Sequence, residues 1–210
     1  RLEKDIFNAY AEDTYLACVY LDYKQAFDTI WRQALVIKMK YVGIQGNMLH
    51  WISKFITKRT FQVRVNGHLS NVRTPLRGLP QGSVLSPTLF NIYVNDITKT
   101  STKSAMALFA DDIAIWNRNS DPCILQKDMQ DDLNSLEKWS TKWKLHISVP
   151  KTKVMVFSRK SATKELNLEI YKCKLENVNS FKFLGILFDR RLNWNNHIDN
   201  LIIKCKKKLN

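Results

Sequence analysis

Three carboxylates in this chain stand where ordinary surface charges are seldom found. Asp22 follows the nearly continuous apolar run Tyr15–Leu21, and Asp111 with Asp112 separates the runs 105–109 and 113–116. Short apolar runs of this kind predict buried strands, and a charge at the end of a buried strand is costly unless it is paired or bound to a cation. Carboxylates from two adjacent strands can hold two Mg²⁺ ions about 3.5–4 Å apart, one activating an attacking hydroxyl and the other neutralising a leaving phosphate, with oxygen ligands only. The same residues have a plainer reading. Asp-Asp between strands also makes a solvated turn, where Asp tolerates a positive φ, and Asp22 is equally placed to N-cap a helix over residues 25–31.

A second constellation is segment 77–87, Arg-Gly-Leu-Pro-Gln-Gly-Ser-Val-Leu-Ser-Pro, in which two glycines and two prolines flank Gln81. Gly lets a backbone approach a ligand closely, and Gln81, Ser83 and main-chain N–H groups suit contacts to phosphate or sugar. A simple turn accounts for the loop equally well. Ser86-Pro87 reads as an N-cap followed by Pro at the first helical position, with Leu89, Phe90, Tyr93 and Ile97 on one face.

Helical spacing of Met48, Trp51, Ile52, Phe55 and Ile56 predicts a helix over 47–58. The alternation of Phe61, Val63 and Val65 before Asn66-Gly67 predicts a hairpin. Asp121-Pro122 opens a long helix whose Leu125, Met129, Leu133, Leu136 and Trp143 form one core stripe. Residues 154–157 and 183–188 supply further strands. These elements predict one compact α/β (α+β) unit, a mostly antiparallel sheet with helices packed on one face.

The chain has 210 residues, 33 Lys and Arg against 19 Asp and Glu, and a net charge of +14. That excess points to an anionic partner, most simply nucleic acid, although a solubility effect is the alternative. Disorder, collagen and coiled coil fit poorly. The four cysteines are scattered without ligand spacing and read as thiols of a reduced compartment. No apolar run approaches a membrane span, so the reading is a soluble, intracellular protein. With Arg1 first and the basic tract 204–208 last, the chain is expected to be cut from something longer.

Taken together, residues 21–28 (Leu-Asp-Tyr-Lys-Gln-Ala-Phe-Asp), 78–87 and 109–112 (Phe-Ala-Asp-Asp) resemble motifs A, B and C of reverse transcriptases, most closely those of non-LTR, jockey-like retrotransposons. Residues 150–157 resemble motif D, and 183–188 the primer-grip motif E. The resemblance implies a polymerase palm over residues 1–190 and the start of a thumb over 191–210. It implies that Asp22 and Asp111, assisted by Asp112, hold two Mg²⁺ ions, with Mn²⁺ as a substitute. It places Phe27 as a steric gate against a ribose 2′-OH, where the pattern alone suggests a core ring. Gln81 and Gly82 then face the incoming nucleotide and template, and Lys151 is the proton donor to pyrophosphate, where a solvated charge is the bland alternative. Ser148 stands where the family usually has Asn, a departure expected to weaken the motif D loop.

The implied partners are an RNA template, a DNA primer, deoxynucleoside triphosphates and the remainder of a parent polyprotein, including fingers, thumb and a possible endonuclease, with no membrane and a nuclear location. Arg59, Arg64, Arg73 and Arg77 are candidates for backbone contacts. Two rival readings stand beside this one. An RNA-dependent RNA polymerase is disfavoured by Phe27 and the Ala-Asp-Asp box; a catalytically incomplete, nucleic-acid-binding remnant is disfavoured by the intact carboxylates. Activity is expected of the parent protein more than of this segment alone.

Overall fold

The computed structural model describes residues 1–160 and 165–209; residues 161–164 and 210, within the expected palm and thumb segments, lie outside the described residues. Helix α1 (Leu2–Ala11) leads to strand β1 (Tyr15–Leu21), helices α2 (Ala26–Thr29), α3 (Arg32–Tyr41) and α4 (Gly46–Thr57), and the small hairpin of β2 (Arg64–Val65) and β3 (His68–Leu69). Then come α5 (Leu85–Val94), β4 (Ala105–Phe109), β5 (Asp112–Asn119), the long α6 (Pro122–Lys142) and β6 (Lys153–Phe157). The chain ends with β7 (Glu169–Ile170), β8 (Cys173–Lys174), β9 (Glu176–Asn177), β10 (Ser180–Phe183), β11 (Ile186–Asp189) and α7 (Asn195–Leu209). No helix among the described residues is long and apolar enough to cross a membrane.

Two compact units form instead of one. The first comprises Arg1–Tyr23, Lys99–Lys138 and Ile147–Asn210, and the second Lys24–Thr98 and Trp139–His146. Because the units interleave along the chain, no linker composition marks the division.

In the first unit β1 is the middle strand of a five-stranded sheet ordered β4-β5-β1-β6-β9, in which only the β6–β9 pairing is parallel. Successive strand residues face opposite sides, and both sets in β1, Leu16, Cys18 and Tyr20 as well as Ala17, Val19 and Leu21, are buried. A strand covered on both faces reads as a continuous apolar run rather than an alternation. On the even-numbered face Leu16, Cys18 and Tyr20 join Trp116, Met155 and Phe157, and α1 covers them with Ile6, Ala9 and Tyr10. Two side chains tie α1 down: the Trp116 Nε1 donates to Asp5 Oδ2 at 2.9 Å, and the Tyr10 hydroxyl donates to the Arg190 carbonyl at 2.7 Å.

The stripe of α6 is buried at Leu125, Met129, Leu133 and Leu136. Asp132 lies on the same stripe and is only 2% exposed. Its carboxylate accepts from the main-chain N–H groups of Thr102, Lys103 and Ser104 at 3.0, 3.3 and 2.8 Å, and from Ser101 Oγ at 3.1 Å. A buried charge survives there because four donors replace its water, and it thereby holds the turn that launches β4.

Segment 183–188, expected as one strand, is a hairpin. Leu184 (φ +48) and Gly185 (φ +85) both lie in the left-handed region between β10 and β11, so the apolar pattern hides a turn whose second corner suits Gly.

In the second unit α3 packs on α4 and α5. Leu89, Phe90, Tyr93 and Ile97 are buried as the spacing predicts, but Ser86 is not the N-cap of α5. That helix starts two residues earlier at the cap Val84, and the buried Ser86 hydroxyl donates to the Pro80 carbonyl at 2.6 Å, so its burial as a hydrogen-bond donor inside the helix replaces the capping role. Lys38 is also buried. Its ammonium donates to the Tyr93 carbonyl at 2.6 Å and to Asp96 Oδ1 at 2.5 Å beneath the rings of Trp139 and Trp143, 4.6 and 3.9 Å from their centroids.

Asp132→Ala is expected to lower unfolding free energy by roughly 3 kcal/mol, since several buried donors lose their acceptor. Urea denaturation measures it; a loss below about 0.5 kcal/mol would show that the turn before β4 does not depend on this carboxylate.

Candidate active site

The site in the first unit is set by strand register. β1 and β5 pair with Leu21 opposite Ile113, so one step beyond that pair Asp22 and Asp112 emerge at the same end of the sheet. Both line a cleft of about 540 Å³ together with Lys151, Lys153, Phe183 and Gly185. Asp111 does not line it; it sits in the two-residue connection between β4 and β5, where Phe109 pairs with Asp112. The positive φ of that turn falls on Ala110 (+52) and not on either Asp.

Asp22 is tied down through its backbone. Its carbonyl accepts from the Ser148 N–H at 2.7 Å, and its carboxylate is 28% exposed. Oδ2 is buried without a hydrogen-bond partner; the Lys151 ammonium lies 3.1 Å away, within ion-pair range but out of hydrogen-bond alignment. The N-cap alternative for Asp22 does not occur, since α2 starts after Gln25 in the left-handed region (φ +47) and carries no side-chain cap. Asp112 is exposed, yet its carboxyl is raised above the ordinary carboxylate range, first by partial desolvation and then by the negative charges of Asp111 and Asp22.

Lys151 reaches Asp22 because of an excursion in the chain. β1 and β6 pair with Tyr20 opposite Lys153, and a bridge pairs Tyr23 with Ile147; between these pairs two residues on one side face five on the other. The excess forms a turn in which the Ser148 carbonyl accepts from Lys151 N and Thr152 N at 3.1 and 2.9 Å. Ser148 is buried, and these links use its main chain, so the loop stands on bonds that an Asn side chain is not needed to make. The opposite wall of the cleft is the β10–β11 hairpin. Phe181 stacks on Tyr20 at 4.6 Å between centroids and Phe183 lies tilted at 5.1 Å. Lys153, also in the cleft, is engaged by Glu176 Oε2 at 2.5 Å and by the Pro150 carbonyl at 2.8 Å.

The remaining expected residues, Phe27, Gln81 and Gly82, belong to the second unit. Gly78 N–H donates to the Ile30 carbonyl at 2.9 Å and Leu79 N–H to the Phe27 carbonyl at 2.8 Å, so the loop runs along the segment that carries Phe27. The close approach that glycine permits is internal: a Cβ on Gly78 (φ +84) would stand 2.6 Å from the Asp28 carbonyl oxygen, whereas one on Gly82 meets nothing within 4 Å. Phe27 is half-buried and stacks on Phe90 at 4.6 Å.

Two supporting residues escaped the sequence reading, and a third was read differently. Arg32 is buried and spreads its guanidinium over the carbonyls of Gly78, Pro75 and Arg77 at 2.9, 2.7 and 2.9 Å. Asp28 accepts both its oxygens' bonds from the Gln81 amide at 2.9 and 3.0 Å. Arg59, expected at the surface, turns inward, with Nη2 donating to the Gly78 carbonyl at 3.2 Å. The available signal was Asp28 itself, the last acidic residue before Asp96.

Among the described residues no three His, Cys, Asp or Glu side chains converge into a metal cage. Asp22 and Asp112 alone share the cleft, which suits a cation that draws its remaining ligands from a phosphate substrate and water.

Residues 4–188 match the family described as reverse transcriptase (RNA-dependent DNA polymerase). Similar proteins include the RNA-directed DNA polymerase from mobile element jockey of Drosophila funebris, 30% identical over 89% of this chain and 21% of that one. The probable RNA-directed DNA polymerase from transposon X-element of Drosophila melanogaster is 28% identical over 100% of this chain and 23% of its own length. The chain thus spans less than a quarter of these relatives. Among solved structures, telomerase from Candida tropicalis truncated from its C-terminal domain has a TM-score of 0.62 at 15% identity, covering 90% of this chain and 38% of that one. Telomerase from Candida albicans in complex with a fragment of telomeric RNA has a TM-score of 0.62 at 16% identity, over 89% and 31%. At this identity the likeness is one of fold.

The raised carboxyl of Asp112 has a measurable sign. The folded chain keeps this proton at pH values where the unfolded chain has lost it, so the stability it contributes is present below the ordinary Asp range and is lost as pH rises through the folded value. Asp112→Asn is therefore expected to raise Tm at pH 7, with the gain vanishing below about pH 3.5. Thermal melts across pH measure this; a Tm lowered at pH 7 would show that the three carboxylates do not repel one another.

Proposed function

The chain belongs to the reverse transcriptase family, and we propose that it is the palm, residues 1–190, and the start of the thumb, residues 191–210, of an RNA-directed DNA polymerase of the non-LTR retrotransposon kind. The observation that carries the reading is the emergence of Asp22 and Asp112 at the same end of paired strands, in a cleft they share with Lys151. The substrates are an RNA template, a DNA primer and deoxynucleoside triphosphates, and the rest of a larger polyprotein is the partner. A nuclear location belongs to the same proposal.

The oxygens present suit Mg²⁺, or Mn²⁺ in its place. A buried Oδ2 of Asp22 without a hydrogen-bond donor, beside an Asp112 that partial desolvation and then neighbouring negative charges make reluctant to ionise, is a site that a further cation would suit. Asp22 and Asp111, assisted by Asp112, would hold two such ions, which when bound supply activation of the primer 3′-OH and neutralisation of the pyrophosphate.

The side chains do the rest. The primer 3′-hydroxyl releases its proton to solvent and its oxygen bonds to the α-phosphorus of the triphosphate as the bond to the bridging oxygen of pyrophosphate breaks, and Lys151 Nζ donates a proton to that leaving oxygen. Lys151 is suited to move, since its side chain is 72% exposed and its link to Asp22 is a single ion pair. Gln81, with its NH₂ engaged by Asp28, retains a carbonyl oxygen as acceptor toward the nucleotide, and Gly82 beside it leaves room for the template. Phe27, braced by Phe90, excludes a ribose 2′-OH.

Asp22→Asn or Asp111→Asn, in the context of a complete reverse transcriptase, is expected to lower primer extension on an RNA template by on the order of a thousandfold while the fold persists. Extension near the wild-type rate would remove the metal assignment. Phe27→Ala is expected to lower the ratio of kcat/KM for deoxy- over ribonucleotides; an unchanged ratio in a folded variant would leave Phe27 a core ring and nothing more.

A further inference from the structure

Between Asp28 and Asp96 the sequence has nine Lys and Arg and no acidic residue. A carboxylate at the head of such a segment has cations in plenty to pair with, yet Asp28 forms no ion pair among the described residues. Both its oxygens are turned to one neutral group, the side-chain nitrogen of Gln81, at 2.9 and 3.0 Å. Both residues are exposed, so solvation accounts for the presence of this charge but not for its aim.

The main chain accounts for the aim. The N–H groups of Gly78 and Leu79 bind the carbonyls of Ile30 and Phe27, and the N–H of Asp28 is itself held by the Gln25 carbonyl at 2.9 Å. Gly78, which lacks a Cβ, lets the two segments lie in contact at the main chain of Asp28. Buried Arg32 and, at the Gly78 carbonyl, Arg59 clamp the loop from within. Burial disfavours the Arg59 cation, and the charge of Asp28 favours it. With the backbone fixed on both sides, the two side chains meet at little cost in main-chain freedom, which ordinary exposed pairs must still supply.

The consequence is one of polarity. The two ends of an amide have the same shape and opposite hydrogen-bonding sense, and an ionised carboxylate only accepts. Facing Asp28, Gln81 must present its NH₂ inward and keep Oε1 as the end that can accept from a ligand. An outward oxygen recognises an O–H or N–H group of a nucleotide and disfavours its phosphates, which only accept. An outward NH₂ would do the reverse.

We propose that Asp28 is a positioning residue acting through Gln81: it fixes the amide so that the incoming nucleotide meets an acceptor and not a donor. This deepens the polymerase reading and rests on it for the identity of the ligand. The test is primer extension on an RNA template by a complete reverse transcriptase carrying this segment, with kcat and KM for deoxynucleotides measured separately. Asp28→Asn, Gln81→Glu and the double variant are compared with wild type. Asp28→Asn supplies a donor that lets the Gln81 amide turn over, and Gln81→Glu sets two carboxylates together. In the double variant the new amide donates to the new carboxylate, whose second oxygen again faces outward as an acceptor.

Each single variant is expected to raise KM by about five- to tenfold, the worth of one hydrogen bond, with kcat within about twofold of wild type, as for a contact made alike in ground and transition states. The double variant is expected to return KM to within about threefold of wild type, a non-additivity that marks two side chains acting as one unit. Three results would overturn the proposal: unchanged KM in both single variants, a double variant no better than the worse single, or a fall in kcat at constant KM. Melting temperatures are expected to stay within about 2 °C of wild type, since the changed positions are exposed; a lowered Tm with unchanged KM would make the pair structural and overturn its positioning role. Polymerisation that survives Asp22→Asn, alongside the expected rescue, would refute the metal assignment alone; loss of polymerisation in Asp22→Asn without the rescue would refute the role of Asp28 alone.

Discussion

Pairing of β1 with its neighbours is the constraint on which the chemistry of the first unit depends. Side chains alternate along a strand, so a slip of one residue between β1 and β5 would exchange the side chains packed on its two buried faces and turn Asp22 away from Asp112. The slip is prevented because β1 is buried on both faces, and every one of its residues after Tyr15 has an apolar neighbour to lose. The placement of these carboxylates is therefore a by-product of hydrophobic burial. Asp112 is held there against partial desolvation and the negative charges of Asp111 and Asp22.

Much of this was legible in the sequence for one physical reason: burial leaves a pattern. The run Tyr15–Leu21, the two runs around Asp111 and the stripe of α6 all announce elements that the structure contains. What stayed hidden depends on a partner distant in sequence. Asp132 sits on an apolar stripe like an error until the turn at residues 101–104 supplies its donors. Arg32 looks like a surface cation, and only the fold shows it filling a hole with three carbonyls around it. The hairpin inside 183–188 was masked because both strands are apolar and the turn between them contains a Leu at positive φ, which no propensity favours.

The candidate site was legible to a different degree. Asp22, Asp111 and Asp112 were identifiable as types and positions, yet the structure separates their roles: two carboxylates face the cleft and the third stands in the turn. Proximity of Lys151 to Asp22 was beyond any pattern, because it arises from an irregular turn in which five residues face two on the neighbouring strand. The second unit handles charge in two ways. Lys38 and Arg32 are taken into the interior with ionic or carbonyl partners in place, while Arg64, Arg73 and Arg77 stay exposed.

The stacking of Tyr20 against Phe181 and Phe183 makes the cleft a gauge. A hairpin of four-residue strands that pair only with each other would ordinarily wander. Its rings instead rest on the residue two before Asp22, so the tip at Leu184-Gly185 inherits the rigidity of the central strand. Jaw and anvil belong to one body, and the gap between them is set by the thickness of stacked aromatic rings. The height of that gap is therefore one that loop flexibility does not blur, the kind of tolerance that alignment of reacting groups demands.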